Sequence, residues 1–169
     1  MKAQTFSSAS VTAAMSGSMA GEPAVEQVRS ERYERGAAAL RKVDGETGLQ
    51  VVEALAESFP EFATYLVEFP FGDIYSRPGL GLRERELAVV SALTAMGNAG
   101  PQLRVHIDAA LHVGCTPEEI VEVVMQMSVY AGFPAALNGL AAVREIFVKR
   151  AIRLPLGAST SHSERIPGC

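Results

Sequence analysis

The feature that most constrains the fold is the segment Leu82–Met96, which contains no glycine or proline and is almost wholly apolar after Glu86. An uninterrupted apolar segment of this kind predicts a central buried helix. Gly97 and Asn98 follow it, and glycine readily adopts the left-handed conformation that ends a helix. We therefore expect a buried helix at the centre of the fold that ends at Gly97.

The segments before this helix are also helical in character, but glycine and proline interrupt them. Residues 26–42 are charged and rich in alanine, with apolar side chains at helical spacing, which predicts a first amphipathic helix. Residues 49–56 and 62–69 predict two short helices. Proline and glycine then crowd residues 69–81, so we expect a structured loop there rather than a helix.

The segments after the central helix carry clear helix-start signals. Pro101 suits the first turn of a helix that runs through His112. Thr116 is followed by a proline and, at the third position after it, by Glu119, which predicts a capping box at the start of the next helix. Residues 134–152 predict the last long helix.

These patterns together predict an all-α protein. No stretch alternates strictly between apolar and polar residues, so we expect a compact array of about six or seven helices. The helical domain is placed at residues 26–152, between a disordered N-terminal tail at 1–25 and a loose C-terminal tail at 153–169. Several helices are apolar on more than one face, which predicts a homo-oligomer. A monomer with a fully buried central helix is the alternative.

Composition excludes several classes of function. Of the 169 residues, 48% are hydrophobic and 20% charged, and the net charge is −4, which disfavours nucleic acid or an anionic membrane as a partner. Cys115 and Cys169 are too few for a disulfide framework or a zinc site of paired thiolates. No segment approaches the roughly 20 apolar residues that span a bilayer. We expect a soluble cytoplasmic protein that takes no metal.

Glu86 and His106 are the first candidates for chemistry. Glu86 is either a first-turn acid favoured by the helix dipole or a partly buried carboxylate available for proton transfer. His106 shares a helical face with Leu103 and Ala110, which suits either a core histidine or a catalytic one. His112 lies near the end of its helix, where a cation is favourable, and we expect it to be structural.

Other polar groups near these two residues are weaker candidates. Cys115 precedes a helix start, where a thiol pKa can be lowered, but it is more simply a hydrophobic staple against Ile120. Four arginines are clustered in the sequence around the two candidates: Arg77, Arg83, Arg85 and Arg104. They suit either a solvated surface or a small anionic ligand. Phosphate-loop, zinc-protease and nucleophile-elbow motifs are absent, so an enzyme here is expected to work without a cofactor.

Several strings of the sequence carry a family resemblance. The main ones are FGDIYSRPGL at 71–80, REL at 85–87, QLRVHI at 102–107, TPEEI at 116–120 and VYAGFPAA at 129–136. They resemble the carboxymuconolactone decarboxylase family, and the resemblance covers about residues 33–149. It implies the all-α alkylhydroperoxidase-D-like fold and assembly into trimers or double trimers.

The resemblance also implies which chemistry to expect, because the family has two branches. The peroxidase branch carries C-x-x-C-x-x-x-H after an upstream glutamate. Glu86 and His106 match the relay positions here, but Ala99 and Gln102 stand where that branch has its cysteines. The chain therefore resembles the decarboxylase branch, which lacks those cysteines and converts 4-carboxymuconolactone to 3-oxoadipate enol-lactone and CO2.

On this hypothesis His106 returns a proton to carbon, and Glu86 orients it or raises its basicity. The side chains expected to bind the substrate are those that can hold a carboxylate or donate a hydroxyl proton: Arg77, Arg85, Arg104, Tyr75 and Tyr130. Tyr75 stands where dedicated decarboxylases often have tryptophan. A redox member of the family and a non-catalytic ligand-binding oligomer are the competing interpretations.

Overall fold

A computed structural model of the chain describes residues 29–156. Those residues form six α-helices and one π-helical segment, and they contain no strand, so the all-α prediction is confirmed. The elements in chain order are α1 Glu31–Ser58, α2 Pro60–Leu66, the π-helical segment Val67–Tyr75, α3 Leu82–Met96, α4 Gly100–His112, α5 Pro117–Tyr130 and α6 Phe133–Lys149. The predicted N-terminal tail at 1–25 and residues 157–169 of the predicted C-terminal tail lie outside the described residues.

The first part of the chain agrees with the predicted interruption between helices at 26–42 and 49–56, although the second helical stretch resumes directly after Gly45. It forms one bent element, Glu31–Ser58, whose N-cap is Ser30. Only Gly45 inside it leaves helical geometry, with φ 64° and ψ −156°. A positive φ is costly for residues with a Cβ and cheap for glycine, so the helix axis changes direction at this residue and then continues.

The loop predicted at 69–81 is wrong in its first half, because the π-helical segment runs to Tyr75. Pro70 lacks the amide hydrogen that an α-helical turn uses, and the wider π turns accommodate that interruption. Gly72 and Gly36 let this segment pack directly on α1: Cβ atoms there would lie 2.7 Å and 2.3 Å from carbonyl oxygens of the facing backbone. This close backbone contact fixes the position of Tyr75.

The remaining helices largely agree with those predicted from the sequence. Gly97 closes α3 in the left-handed conformation, at φ 72°. Thr116 and Glu119 form the predicted capping box, each side chain accepting a hydrogen bond from the other residue's backbone amide. The last helix begins one residue earlier than predicted and ends three residues earlier, at Lys149. Within one chain α3 buries only one face, so it is less enclosed than the sequence suggested.

Two apolar clusters hold the helices together. The larger joins α3, α4, α5 and α6 around Ile107, Ile120 and Phe147, all fully buried. The smaller joins α1, α2 and the π-helical segment around Val43 and Val67. The candidate site is built from the elements that line these two clusters. In residues 29–156, no helix is long and apolar enough to cross a bilayer.

Candidate active site

Glu86 is the centre of a hydrogen-bonded group inside the protein. It lies near the start of α3, and its side chain is fully buried. The hydroxyl of Tyr75 donates to its Oε1 at 2.8 Å, and Nδ1 of His106 lies 2.8 Å from its Oε2. The structure therefore brings together the two residues predicted to be catalytic and one of the predicted substrate-binding residues.

Local structure explains how three separate elements meet here. Tyr75 ends the π-helical segment, and its ring packs against Phe71 with centroids 5.1 Å apart. His106 lies on α4 next to Ile107, which is anchored in the larger apolar cluster. The His106 side chain is 23% exposed, whereas Glu86 is completely enclosed. The imidazole is thus held from inside by the carboxylate and keeps an accessible edge.

The surroundings of Glu86 favour the protonated forms of both of its donors. Burial and the charge of Glu86 raise the pKa of Tyr75 well above its usual range, so its hydroxyl stays protonated. Burial by itself would lower the pKa of His106, but the hydrogen bond to Glu86 and the charges of Glu86 and Asp44 outweigh it and raise that pKa. A carboxylate only accepts hydrogen bonds, so we assign a proton to Nδ1. Within residues 29–156 no hydrogen bond engages the other ring nitrogen, Nε2.

Asp44 is a residue of this site that the sequence reasoning missed. It immediately precedes Gly45 at the bend of α1 and is half-buried. Burial raises its pKa to about 6, and its carboxyl group interacts electrostatically with His106 and Glu86. The only signal in the sequence was an acidic residue beside a helix-bending glycine, and nothing there indicated that this bend faces α4.

Arg85 lies beside the cluster. Its guanidinium carbon is 5.6 Å from the centroid of the Tyr75 ring, and its Nη2 donates to the backbone oxygen of Arg77 at 3.0 Å. Its Nε is buried and has no hydrogen-bond partner in the described part of the chain. Arg77 itself is exposed and contributes its carbonyl group to this arrangement.

Two other predicted substrate-binding residues are not part of the cluster. Arg104 forms a two-pronged ion pair with Glu145 on the surface. Arg104 also lines a cavity of about 250 Å³ between α3, α4 and α6. Neither Glu86 nor His106 lines this cavity. Tyr130, at the end of α5, is 76% exposed.

Cys115 fits the structural interpretation. It is buried in the same apolar cluster as Ile120, as a hydrophobic staple requires. Burial raises the pKa of its thiol, and its Sγ lies 3.6 Å from the backbone oxygen of Arg83. A thiol in this environment is a poor nucleophile. Over residues 29–156 no group of three or more His, Cys, Asp or Glu side chains is arranged to hold a metal ion.

The cluster can therefore bind an anion and move a proton. Within residues 29–156 it contains a histidine whose Nδ1 faces a buried carboxylate, a tyrosine hydroxyl that donates to that carboxylate and an arginine with an unpaired buried N–H. Such a set can hold a carboxylate and supply a proton to a carbanion-like centre.

Comparison with known proteins agrees with this chemistry. The sequence profile of the carboxymuconolactone decarboxylase family matches residues 60–145, about half of the chain, including Tyr75, Glu86 and His106. The chain belongs to the carboxymuconolactone decarboxylase family. Asp44 lies outside the matched residues.

Individual proteins are also similar in sequence to this chain. The 4-carboxymuconolactone decarboxylase of Acinetobacter baylyi is 31% identical over 118 residues, which cover 69% of this chain and 87% of that protein. An uncharacterized 15.0 kDa protein of Paracoccus denitrificans is 32% identical over 99 residues, covering 58% and 74%. Nitrosuccinic acid decarboxylase of Metarhizium robertsii is 29% identical over 75 residues, covering 44% and 52%. The family and these relatives support a decarboxylase.

Proposed function

We propose that this chain is a cofactor-free decarboxylase of a small carboxylated acid, with 4-carboxymuconolactone as the leading candidate substrate. The observation that carries the proposal is the buried Glu86, which holds the partly exposed His106 through Nδ1. The products would be 3-oxoadipate enol-lactone and CO2.

The chemistry needs no electron sink other than the substrate. The bond between the ring carbon and the carboxylate breaks, CO2 leaves, and the electron pair is delocalised into the conjugated lactone carbonyl as a dienolate. One proton then adds to carbon, so each turnover consumes one proton. Nitrosuccinic acid, named for one relative, carries a nitro group that can hold an electron pair in the same way. The shared requirement is an acceptor group conjugated to the carbon that loses CO2.

His106 and Glu86 would supply the proton. With Nδ1 directed at Glu86, the protonated imidazole can donate through Nε2. The raised pKa of His106 favours the protonated imidazole that this step requires. Tyr75 fixes the other oxygen of Glu86 and so limits rotation of the carboxylate.

Arg85 would bind a carboxylate of the substrate. Its buried Nε lacks a partner among residues 29–156, and a buried N–H without an acceptor is costly. A carboxylate ligand would satisfy it with a charge-assisted hydrogen bond. Arg104 was an equal candidate by sequence, but its guanidinium is already paired with Glu145.

The redox alternative is less well supported. Ala99 and Gln102 occupy the positions of the peroxidase cysteines, and Cys115 is buried with a raised thiol pKa. A peroxide-consumption assay with a thiol reductant tests this alternative, and we expect no activity above background.

We also propose that the chain assembles with copies of itself. Large apolar side chains are exposed along the end of α5 and the start of α6: Val129, Tyr130, Phe133 and Leu137. Contiguous exposed apolar surface of this kind is typical of subunit interfaces. Light scattering coupled to size-exclusion chromatography tests it, and a particle of one chain's mass would refute it.

The function itself is tested by incubating the protein with 4-carboxymuconolactone and following CO2 release and formation of the enol-lactone. We expect saturable turnover that His106→Gln abolishes while the helical circular-dichroism spectrum is kept. His112→Gln is the matched control, since this histidine is exposed at the end of the same helix. Turnover by the His106 variant equal to that of the wild type would exclude His106 as the proton donor.

A further inference from the structure

We infer that Tyr75 is a positioning residue with two separable contacts: its hydroxyl holds Glu86 for proton transfer, and the face of its ring holds Arg85 for binding a carboxylate. The catalytic consequence rests on the proposed function, whereas the two contacts are properties of the free protein. Through them one side chain sets the distance between the group that binds the substrate and the pair that protonates it.

Tyr75 contacts two consecutive residues of α3 that point in different directions. Side chains of neighbouring residues leave a helix about 100° apart. The Tyr75 hydroxyl nevertheless donates to Oε1 of Glu86 at 2.8 Å, while the guanidinium carbon of Arg85 lies over its ring, 5.6 Å from the centroid. The face of an aromatic ring attracts a cation. The hydroxyl and the ring therefore act on different residues.

The contact with the ring holds Arg85 without using up its hydrogen-bond donors. Among residues 29–156 no carboxylate forms an ion pair with Arg85. A carboxylate partner would hold the arginine too, but it would occupy the N–H groups. The ring face attracts the charge and accepts no conventional hydrogen bond, so the buried Nε of Arg85 stays available to a ligand.

The position of Tyr75 is fixed by its own segment and by α1. The ring of Phe71 packs against it at 5.1 Å, and Oγ of Ser76 donates to the backbone oxygen of Phe71 at 2.7 Å. Nε of Arg32, on α1, donates to both carboxylate oxygens of Asp73 at 3.0 and 2.9 Å. Tyr75 is thus anchored from the side away from α3, and an anchored side chain can hold its two neighbours in place.

This arrangement matters for the proposed reaction because a proton is delivered efficiently only to a carbon held in the right geometry. Arg85 would place the carboxylate of the substrate, and Glu86 places the imidazole of His106. Loss of the Tyr75 hydroxyl should therefore affect the proton-transfer step alone. Loss of the whole ring should affect substrate binding as well.

The first test does not depend on activity. NMR of the full-length protein follows the Nε–H signal of Arg85 and the ring signals of His106, assigned with Arg85→Lys and His106→Gln. We expect Tyr75→Phe to shift the His106 signals and leave the Arg85 signal in place, because only the hydroxyl is lost. Tyr75→Leu should shift both. Tyr65→Phe and Tyr65→Leu are the matched controls, because Tyr65 is 61% exposed on α2 and should move neither signal.

Three results of this test would overturn the inference. The first is an Arg85 signal that Tyr75→Leu leaves unchanged. The second is an Arg85 signal that Tyr75→Phe and Tyr75→Leu move equally. The third is a set of His106 signals that Tyr75→Phe leaves unchanged.

The second test is the separation of kcat from KM on 4-carboxymuconolactone. Tyr75→Phe should lower kcat about tenfold and keep KM within about twofold of wild type. Tyr75→Leu should lower kcat by a similar factor and also raise KM about fivefold. Equal changes of kcat and KM in the two variants would indicate only a structural role and contradict the inference.

The two tests separate this inference from the proposed function. If the wild-type protein does not turn over this substrate while the NMR pattern is present, the proposed function fails and the two contacts of Tyr75 stand. If it turns over the substrate and the NMR pattern is absent, the inference alone fails. If Tyr75→Leu does not fold, Tyr75→Met replaces it in both measurements.

Discussion

Arg85 and Arg104 lie near the starts of neighbouring helices, but their surroundings are opposite. Arg104, on the surface, donates two hydrogen bonds to the carboxylate of Glu145. Arg85 lies over Tyr75 next to Glu86 and keeps a buried Nε with no acceptor in residues 29–156. The surface arginine is thus matched by a carboxylate of the described chain, whereas the interior cluster has a donor left over. We propose that this unmatched buried donor suits the interior cluster to an anion, because a buried N–H without an acceptor is costly.

The difference between the two regions is tested most directly by removing the carboxylate at the centre of the cluster. Glu86→Ala leaves the Tyr75 hydroxyl and the His106 imidazole without their acceptor in the interior. We expect kcat/KM to fall roughly 100-fold or more, and the free energy of unfolding to fall by about 2–5 kcal/mol. Steady-state kinetics and urea unfolding measure the two effects. Glu145→Ala is the surface control, and a comparable loss in that variant would remove the distinction between the regions.

The two arginines provide the second test. Arg85→Ala removes the donor proposed to bind the substrate carboxylate, and a hydrogen bond to a charged group contributes about 1.5–3 kcal/mol. We therefore expect kcat/KM to fall roughly 10- to 100-fold, with most of the loss in KM. Arg104→Ala should leave both constants within about twofold of wild type. If Arg104→Ala instead raised KM more than Arg85→Ala, the carboxylate subsite would be at the surface pair.

The sequence could not distinguish these arginines, although it predicted much else. Local signals a few residues apart predicted the boundaries of α3 and the capping box of Thr116 and Glu119. Residues this close in sequence can specify a helix end without any tertiary contact. Arg104 forms an ion pair because helix packing brings Glu145, which lies far along the chain, next to it. Such pairings are set by helix packing and have no local pattern.

The same limit explains the missed residue and the misjudged loop. Asp44 lies near the site because α1 bends at Gly45 and packs on α4; the sequence predicted the interruption at this glycine but not the helix that the bend contacts. The segment Val67–Tyr75 is rich in loop-forming residues, but Gly72 allows it to lie on the backbone of α1 and remain helical. In the π-helical segment tertiary contact overrode local propensity, and at Gly45 the sequence carried no signal of the helix packed against it.

The third test asks whether the interior cluster costs stability. Asp44 has a folded-state pKa of about 6, above its ordinary value of 3.8, so the folded state binds the proton more tightly than the unfolded state. Stability is therefore lost as pH rises from about 4 to about 6. Asp44→Asn should match wild type near pH 4 and exceed its free energy of unfolding at pH 8 by about 1–2 kcal/mol. Urea unfolding at both pH values measures this.

His106 changes the same profile in the same direction. Its folded-state pKa is raised, so its contribution to stability is present at low pH and is lost as pH rises through that pKa. Asp44→Asn removes the contribution of Asp44 and weakens that of His106. A variant less stable than wild type at pH 8 would mean that Asp44 is a structural carboxylate like those on the surface.

The smallest expected effect is a difference between two coupling free energies. It compares one side-chain pair on the surface with one pair in the interior cluster. In a double-mutant cycle, Arg104→Ala with Glu145→Ala should give only a small coupling free energy, since both side chains are about half exposed and solvent and salt screen their attraction. The cycle of Tyr75→Phe with Glu86→Gln should give about 1–3 kcal/mol, because Glu86 is fully enclosed and cannot replace the lost hydroxyl with water. Raising the salt concentration should reduce the first coupling and leave the second. Equal couplings with equal salt dependence would show that burial does not separate the two regions, and the argument for an interior site prepared for an anion would lose its physical basis.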